Sequence, residues 1–125
     1  MSDTTPIIVV VEDDDGMRRA LQRLLRVAGF VTRTFESAEA LIDANGAQDA
    51  HCLILDVQLS GSTGPAMYGK MGSQRPPVVF ITSHDNVTTR NAVRKAGGGE
   101  LLIKPFAAQA LLDAIAHAMA RSASP

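Results

Sequence analysis

A three-layer α/β/α sandwich, five parallel strands flanked by five helices, is the fold this sequence predicts, and three observations carry it. Five short apolar runs rich in β-branched residues, Ile7 to Val11, Val31 to Phe35, Cys52 to Leu55, Val78 to Ile81 and Leu101 to Ile103, read as strands. Each is followed by a stretch of helical period, and strict alternation of strand and helix implies parallel pairing through right-handed crossovers with helices on both faces. The third observation is composition: 125 residues with 46% hydrophobic and 20% charged content suit one domain with a real core. Residues 1 to 125 are therefore read as a single domain, with a core over about 6 to 120 and mobile ends at 1 to 6 and 121 to 125.

The first strand runs into Glu12 and Asp13, and Asp14 and Asp15 read as solvated acids at a helix start. Met17, Ala20, Leu21, Leu24, Leu25 and Ala28 then recur at three- and four-residue spacing, while Arg18, Arg19, Gln22, Arg23 and Arg26 take the other face. Gly29 stops this helix. After the second strand, Ser37 is placed to cap a helix through about Asn45, with Gly46 as its terminator. The third strand ends at Asp56. Gly64, Pro65, Gly69 and Gly72 crowd the segment that follows, which predicts only about two turns between Pro65 and Met71 and low local stability. Pro76 and Pro77 close it. The fourth strand ends at Thr82, and Asp85 can cap a helix from about Asn86 to Ala96. The fifth strand leads to Lys104, and Ala108, Leu111, Leu112, Ile115 and Met119 mark the apolar stripe of the last helix.

Charge excludes several function classes. Twelve basic against thirteen acidic residues give a net charge of -1, with no sustained basic stripe for direct binding of nucleic acid or an anionic membrane. The single cysteine, Cys52, lies in an apolar run and reads as a buried structural thiol, so no internal disulfide is expected. Met1 to Pro6 carries no cleavable signal pattern and no apolar run is long enough to span a bilayer, which points to the cytoplasm.

In open parallel sheets the site lies outside the carboxyl ends of the strands, where strand order reverses; in the order 2-1-3-4-5 that point falls between the first and third strands. Those strands end in Glu12, Asp13 and Asp56, so three carboxylates meet at one edge. At about 4 Å two such charges repel by roughly 4 kcal/mol at an effective dielectric near 20, which calls for a counter-charge. A divalent cation suits an all-oxygen cluster. Thr82 and Lys104 bring a hydroxyl and an ammonium to the same edge.

Four segments now stand in order at strand ends: Val9-Val10-Val11-Glu12-Asp13-Asp14, Leu53-Ile54-Leu55-Asp56-Val57-Gln58-Leu59, Phe80-Ile81-Thr82-Ser83 and Ile103-Lys104-Pro105-Phe106. Through them the chain resembles the receiver domain of two-component response regulators, over roughly residues 6 to 120. The resemblance implies a flavodoxin-like sheet and a phosphoacceptor switch, a self-catalysed phosphotransfer module and not a classical enzyme. Asp56 would take a phosphoryl group from a phosphohistidine on a histidine kinase or histidine phosphotransfer protein. It would use Mg2+, or Mn2+, held by Asp13 and Asp56, by Glu12 through water and by the backbone carbonyl of Gln58. Lys104 would pair with the phosphoryl group and Thr82 would be drawn to it. The resemblance also places Gln58, Ser83 and His84 as modulators around the adduct and suggests a cis Lys104–Pro105 bond.

Three departures from the family pattern stand out. Ser60 replaces a usual proline, Leu101 occupies the switch position where an aromatic is common, and Gly97, Gly98 and Gly99 add backbone freedom before the fifth strand. By the same resemblance the arginine-rich first helix faces the kinase. The output would be a downstream protein or output domain, the run Ser37 to Leu41 and the Thr82 to His84 loop looking similar to receivers that precede helix-turn-helix output domains of transcription regulators, and dimerisation would use the face of the fourth helix, fifth strand and fifth helix. The chain reads as a single-domain regulator or as the receiver part of a larger one.

Rival readings remain. A flavodoxin-like mononucleotide binder would cradle phosphate in Ser60 to Gly64, but that loop follows the third strand and Tyr68 is the only tyrosine in a chain without tryptophan. A phosphatase using Asp56 as nucleophile would need a second carboxylate where Gln58 stands. A pseudo-receiver interaction module would have lost an acidic, threonine or lysine position, and none is lost. His51 and His117 read as peripheral.

Overall fold

The computed structural model describes residues 5–72 and 75–123. Along the chain it places β1 (Ile7–Val11), α1 (Asp15–Val27), β2 (Val31–Phe35), α2 (Ala38–Asp43), β3 (Cys52–Asp56), α3 (Gly64–Gly69), β4 (Val78–Thr82), α4 (Val87–Lys95), β5 (Glu100–Ile103) and α5 (Ala108–Ala123). All neighbouring strands pair in parallel, in the order β2-β1-β3-β4-β5. The predicted sheet is therefore present.

Side chains along a strand alternate between faces, and here both faces are covered, which is why β1, β3 and β4 read as unbroken apolar runs. Val9, Val11, Leu53, Leu55 and Phe80 pack with Leu41, Met67 and Val93 on the side of α2, α3 and α4. Ile8, Val10, Cys52, Ile54, Val79 and Ile81 pack with Leu21, Leu25, Leu111 and Ile115 on the side of α1 and α5. Cys52 is fully buried, and burial pushes its thiol up to about 12, as befits a structural residue. Register then fixes the site: Val11 lies opposite Leu55, so Glu12 and Asp56 follow side by side, and Thr82 lies opposite Ile103.

The structure corrects several local expectations. Asn86, not Asp85, caps α4: its Oδ1 accepts from Thr89 N at 2.9 Å, while Asp85 pairs with Arg90 at 2.7 Å. The cap must face the amide three residues on, and the helix begins one residue later than expected. α2 ends at Asp43, two residues short of the expected Asn45, which instead lies in the left-handed region at φ 50°, and Gly46 serves a different purpose. A Cβ on Gly46 would lie 2.3 Å from the Phe35 ring, so the glycine makes room for that side chain. On α1, Ala20 and Ala28 are exposed, and Arg18 is half-buried with its guanidinium on the Glu12 carbonyl at 2.8 Å. At the C-terminal end α5 runs through Ala123, with Arg121 hydrogen-bonded to Glu100. At the other end the Pro6 carbonyl accepts from Val31 N at 3.1 Å. The remaining end residues, 1–4 and 124–125, lie outside the described residues. Among the described residues no helix is long and apolar enough to cross a membrane.

Candidate functional site at the carboxyl edge of the sheet

β1 and β3 deliver their acids to one point. Glu12, Asp13 and Asp56 each offer a carboxylate oxygen, and these oxygens lie within 4.8 Å of one another. Glu12 is fully buried, Asp56 nearly so at 3% exposure, and Asp13 faces solvent. Lys104, at the end of β5, reaches in between: its ammonium donates to Asp56 Oδ2 at 2.7 Å and to Glu12 Oε1 at 2.9 Å. The Lys104–Pro105 peptide is cis, in keeping with the resemblance.

Lys104 offsets only part of the charge. Burial pushes Glu12 up to about 7 and the neighbouring Asp56 adds to that, against the lowering effect of Lys104 and of the Asp14 amide on Glu12 Oε2 at 3.1 Å. Burial alone would pull the Lys104 ammonium down; its hydrogen bonds to Asp56 and Glu12 outweigh this and hold it above its ordinary value. A buried carboxylate short of positive charge, beside an exposed one and a third on the next strand, is a donor set that fits a hard, oxygen-preferring dication such as Mg2+ or Mn2+.

Thr82 is fully buried at the end of β4. Its hydroxyl accepts from His84 N at 3.1 Å and donates to Gln58 Oε1 at 2.9 Å. Gln58 also sends its backbone N–H to Asp56 Oδ1 at 2.9 Å. Ser83 and His84 are exposed beside the site, and Leu101 is half-buried, packed on the cluster containing Phe80.

Some contributors were not expected from sequence. Ser60, singled out as a lost proline and as part of the rival phosphate loop, donates its hydroxyl to Asp13 Oδ2 at 3.2 Å. Gly64 is required where the β3–α3 loop folds back: a Cβ there would lie 2.4 Å from the Asp56 carbonyl oxygen. Asp14, read as a solvated acid, caps α1 by accepting from Met17 N at 2.7 Å. His51 is not a bystander either, since its Nδ1 accepts from Ile7 N at 2.9 Å at the opposite end of β1. Within the Ser60-to-Gly64 loop, Thr63 caps α3 by accepting from Ala66 N at 3.1 Å, and Gly64 donates its N–H to the Val57 carbonyl at 3.1 Å.

The family model described as response regulator receiver domain matches residues 8–116. The chain belongs to the response regulator receiver domain family. Receiver domains of this kind are parts of two-component systems and are generally not classical enzymes. Nodulation protein W of Bradyrhizobium diazoefficiens is 36% identical over 120 residues, covering 94% of this chain and 53% of that protein. Response regulator protein TmoT of Ectopseudomonas mendocina is 32% identical over 121 residues, covering 95% and 55%. The chain thus spans about half the length of the curated relatives it matches. Among solved structures, response regulator StyR superposes with a TM-score of 0.84 at 37% identity, over 96% of this chain and 62% of that one. A receiver protein from Burkholderia phymatum gives 0.81 at 34% identity, over 93% and 96%. The acidic cluster of this receiver domain lies where the family's phosphorylation site is expected.

Proposed function

We propose that Asp56 is the phosphoacceptor of this receiver domain, taking a phosphoryl group from a phosphohistidine on a histidine kinase or phosphotransfer protein. The observation that carries the reading is the Asp56 carboxylate at the switch point of the sheet, pinned by Lys104 at 2.7 Å and by the Gln58 amide at 2.9 Å. In the transfer an Asp56 oxygen forms the new P–O bond while the P–N bond breaks, and the imidazole leaves with the electron pair. Asp13, Asp56 and the Gln58 carbonyl would hold Mg2+, with Glu12 acting through water, and Mn2+ could substitute. When bound, the ion neutralises charge on the phosphoryl oxygens. Lys104 follows the charge from the carboxylate onto the adduct. Thr82 turns its hydroxyl to a phosphoryl oxygen, moving the β4–α4 loop and so the surface read by a downstream protein or an output domain. Gln58, Ser83 and His84 rim the adduct and set its lifetime, and Leu101 takes the switch position in β5.

The test is phosphorylation by phosphoramidate, a small P–N donor, with excess Mg2+. An acyl phosphate on wild type, cleaved by hydroxylamine and missing from Asp56→Asn, is the expected result. A hydroxylamine-stable product, or one retained in Asp56→Asn, would move the acceptor elsewhere.

A further inference from the structure

We infer that Gln58 is a positioning residue that latches Thr82 in the unphosphorylated state, tying the switch hydroxyl to the same residue that holds the acceptor carboxylate. This rests on the reading of Asp56 as acceptor and Thr82 as switch. Two hydrogen bonds make the tie: Gln58 N donates to Asp56 Oδ1 at 2.9 Å, and Thr82 Oγ1 donates to Gln58 Oε1, also at 2.9 Å. The second fixes the hydroxyl's proton. Thr82 Oγ1 already accepts the His84 amide at 3.1 Å, so its own proton needs an acceptor, and at 0% exposure water cannot serve. The other acceptor within reach is the His84 carbonyl, at a poor 3.4 Å. Gln58 thus supplies the bond that keeps Thr82 where it is.

The latch is of a strength that phosphorylation can overcome. An amide oxygen is a neutral acceptor, whereas a phosphoryl oxygen is charged, and charge-assisted hydrogen bonds are roughly twice as strong. The Thr82 hydroxyl is therefore held by Gln58 until a better acceptor is built on Asp56, and the His84 amide, bonded to the same hydroxyl, moves with it. Removing the amide oxygen should displace Thr82 without any phosphoryl group.

The measurement is the position of the His84 amide and Thr82 methyl resonances in chelator-treated, unphosphorylated protein, for wild type, Gln58→Met and Gln58→Glu. Wild type phosphorylated with acetyl phosphate and Mg2+ supplies the far end of the scale. Gln58 is exposed, so neither variant disturbs the core. Gln58→Met keeps the length but not the acceptor, and both resonances should move part of the way toward the phosphorylated positions. The displaced population should rise roughly two- to tenfold, the worth of one neutral hydrogen bond. Gln58→Glu keeps an acceptor and should stay at the wild-type end. Resonances of Gln58→Met that coincide with wild type, or that move off the line joining the two wild-type positions, overturn the latch, as does Gln58→Glu moving as far as Gln58→Met. Wild type that takes no phosphoryl group would instead overturn the acceptor assignment. The comparison among unphosphorylated variants would still decide whether Gln58 holds Thr82.

Discussion

Glu12 carries a cost that Lys104 and the Asp14 amide only partly offset. Its folded-state value, about 7, lies above the ordinary 4.5, so the folded protein holds this proton more tightly than the unfolded chain does. The associated stability is complete below about pH 4.5 and is lost as pH rises through about 7. From this group's contribution, metal-free protein should therefore melt several degrees lower at pH 8 than at pH 5, and Glu12→Gln should flatten that slope and raise the alkaline melting temperature. A dication needs the carboxylate form, so Mg2+ should stabilise wild type more above pH 7 than below. Melting curves in chelator and in Mg2+ across this range check both signs. Gly64 gives the second expectation at this scale. With a Cβ only 2.4 Å from the Asp56 carbonyl, Gly64→Ala must push the end of β3 or the loop, so both stability and phosphorylation should fall. The stability loss, about 1–3 kcal/mol by the usual cost of overpacking, is read by denaturant titration. The carboxylate cluster was legible in the sequence because strand ends bring it together. The Ser60 contact with Asp13 and the Gln58 contact with Thr82 were not, because both depend on how a glycine-containing loop folds back across the edge.

Among the elements, the helices show where local signals compete. Asp85 and Asn86 are adjacent cap formers, and the sequence predicts the cap at Asp85; the structure places it on Asn86, whose side chain meets Thr89 N, leaving Asp85 to pair with Arg90. Asn86→Ala should destabilise by about 1 kcal/mol. Asp85→Ala should cost no more than about 1 kcal/mol and fall away in high salt, since it removes only an exposed ion pair. Chemical denaturation of the two variants separates the roles. α3 shows a different balance. Its glycines give it little intrinsic helicity, yet Tyr68 anchors it through a hydroxyl on the Pro76 carbonyl at 2.6 Å and an edge-on contact with Phe80 at 5.8 Å. Helical spacing in a short segment does not reveal such tertiary anchors.

For the whole molecule, topology was the most legible feature. Five apolar runs separated by helical stretches predict parallel crossovers, which the sheet has, whereas its order 2-1-3-4-5 is implied by the family resemblance. The boundaries were less legible, since α5 continues to Ala123 through an ionic contact with Glu100 that no periodicity announces. The two-faced burial of β1, β3 and β4 makes the central strands a rigid frame, so the acidic cluster, Lys104 and Thr82 are held by backbone that cannot slip register without exposing the core. On that frame the proposed phosphoryl signal would be carried by the loops beyond the strands. The central claim is that this edge performs metal-dependent phosphorylation at Asp56, and intact-mass analysis after incubation with acetyl phosphate tests it most directly. One phosphoryl group should appear on wild type in Mg2+, and none in chelator or on Asp56→Asn; folded wild type that stays unmodified in Mg2+, or an Asp56→Asn variant that gains the same mass, would contradict it.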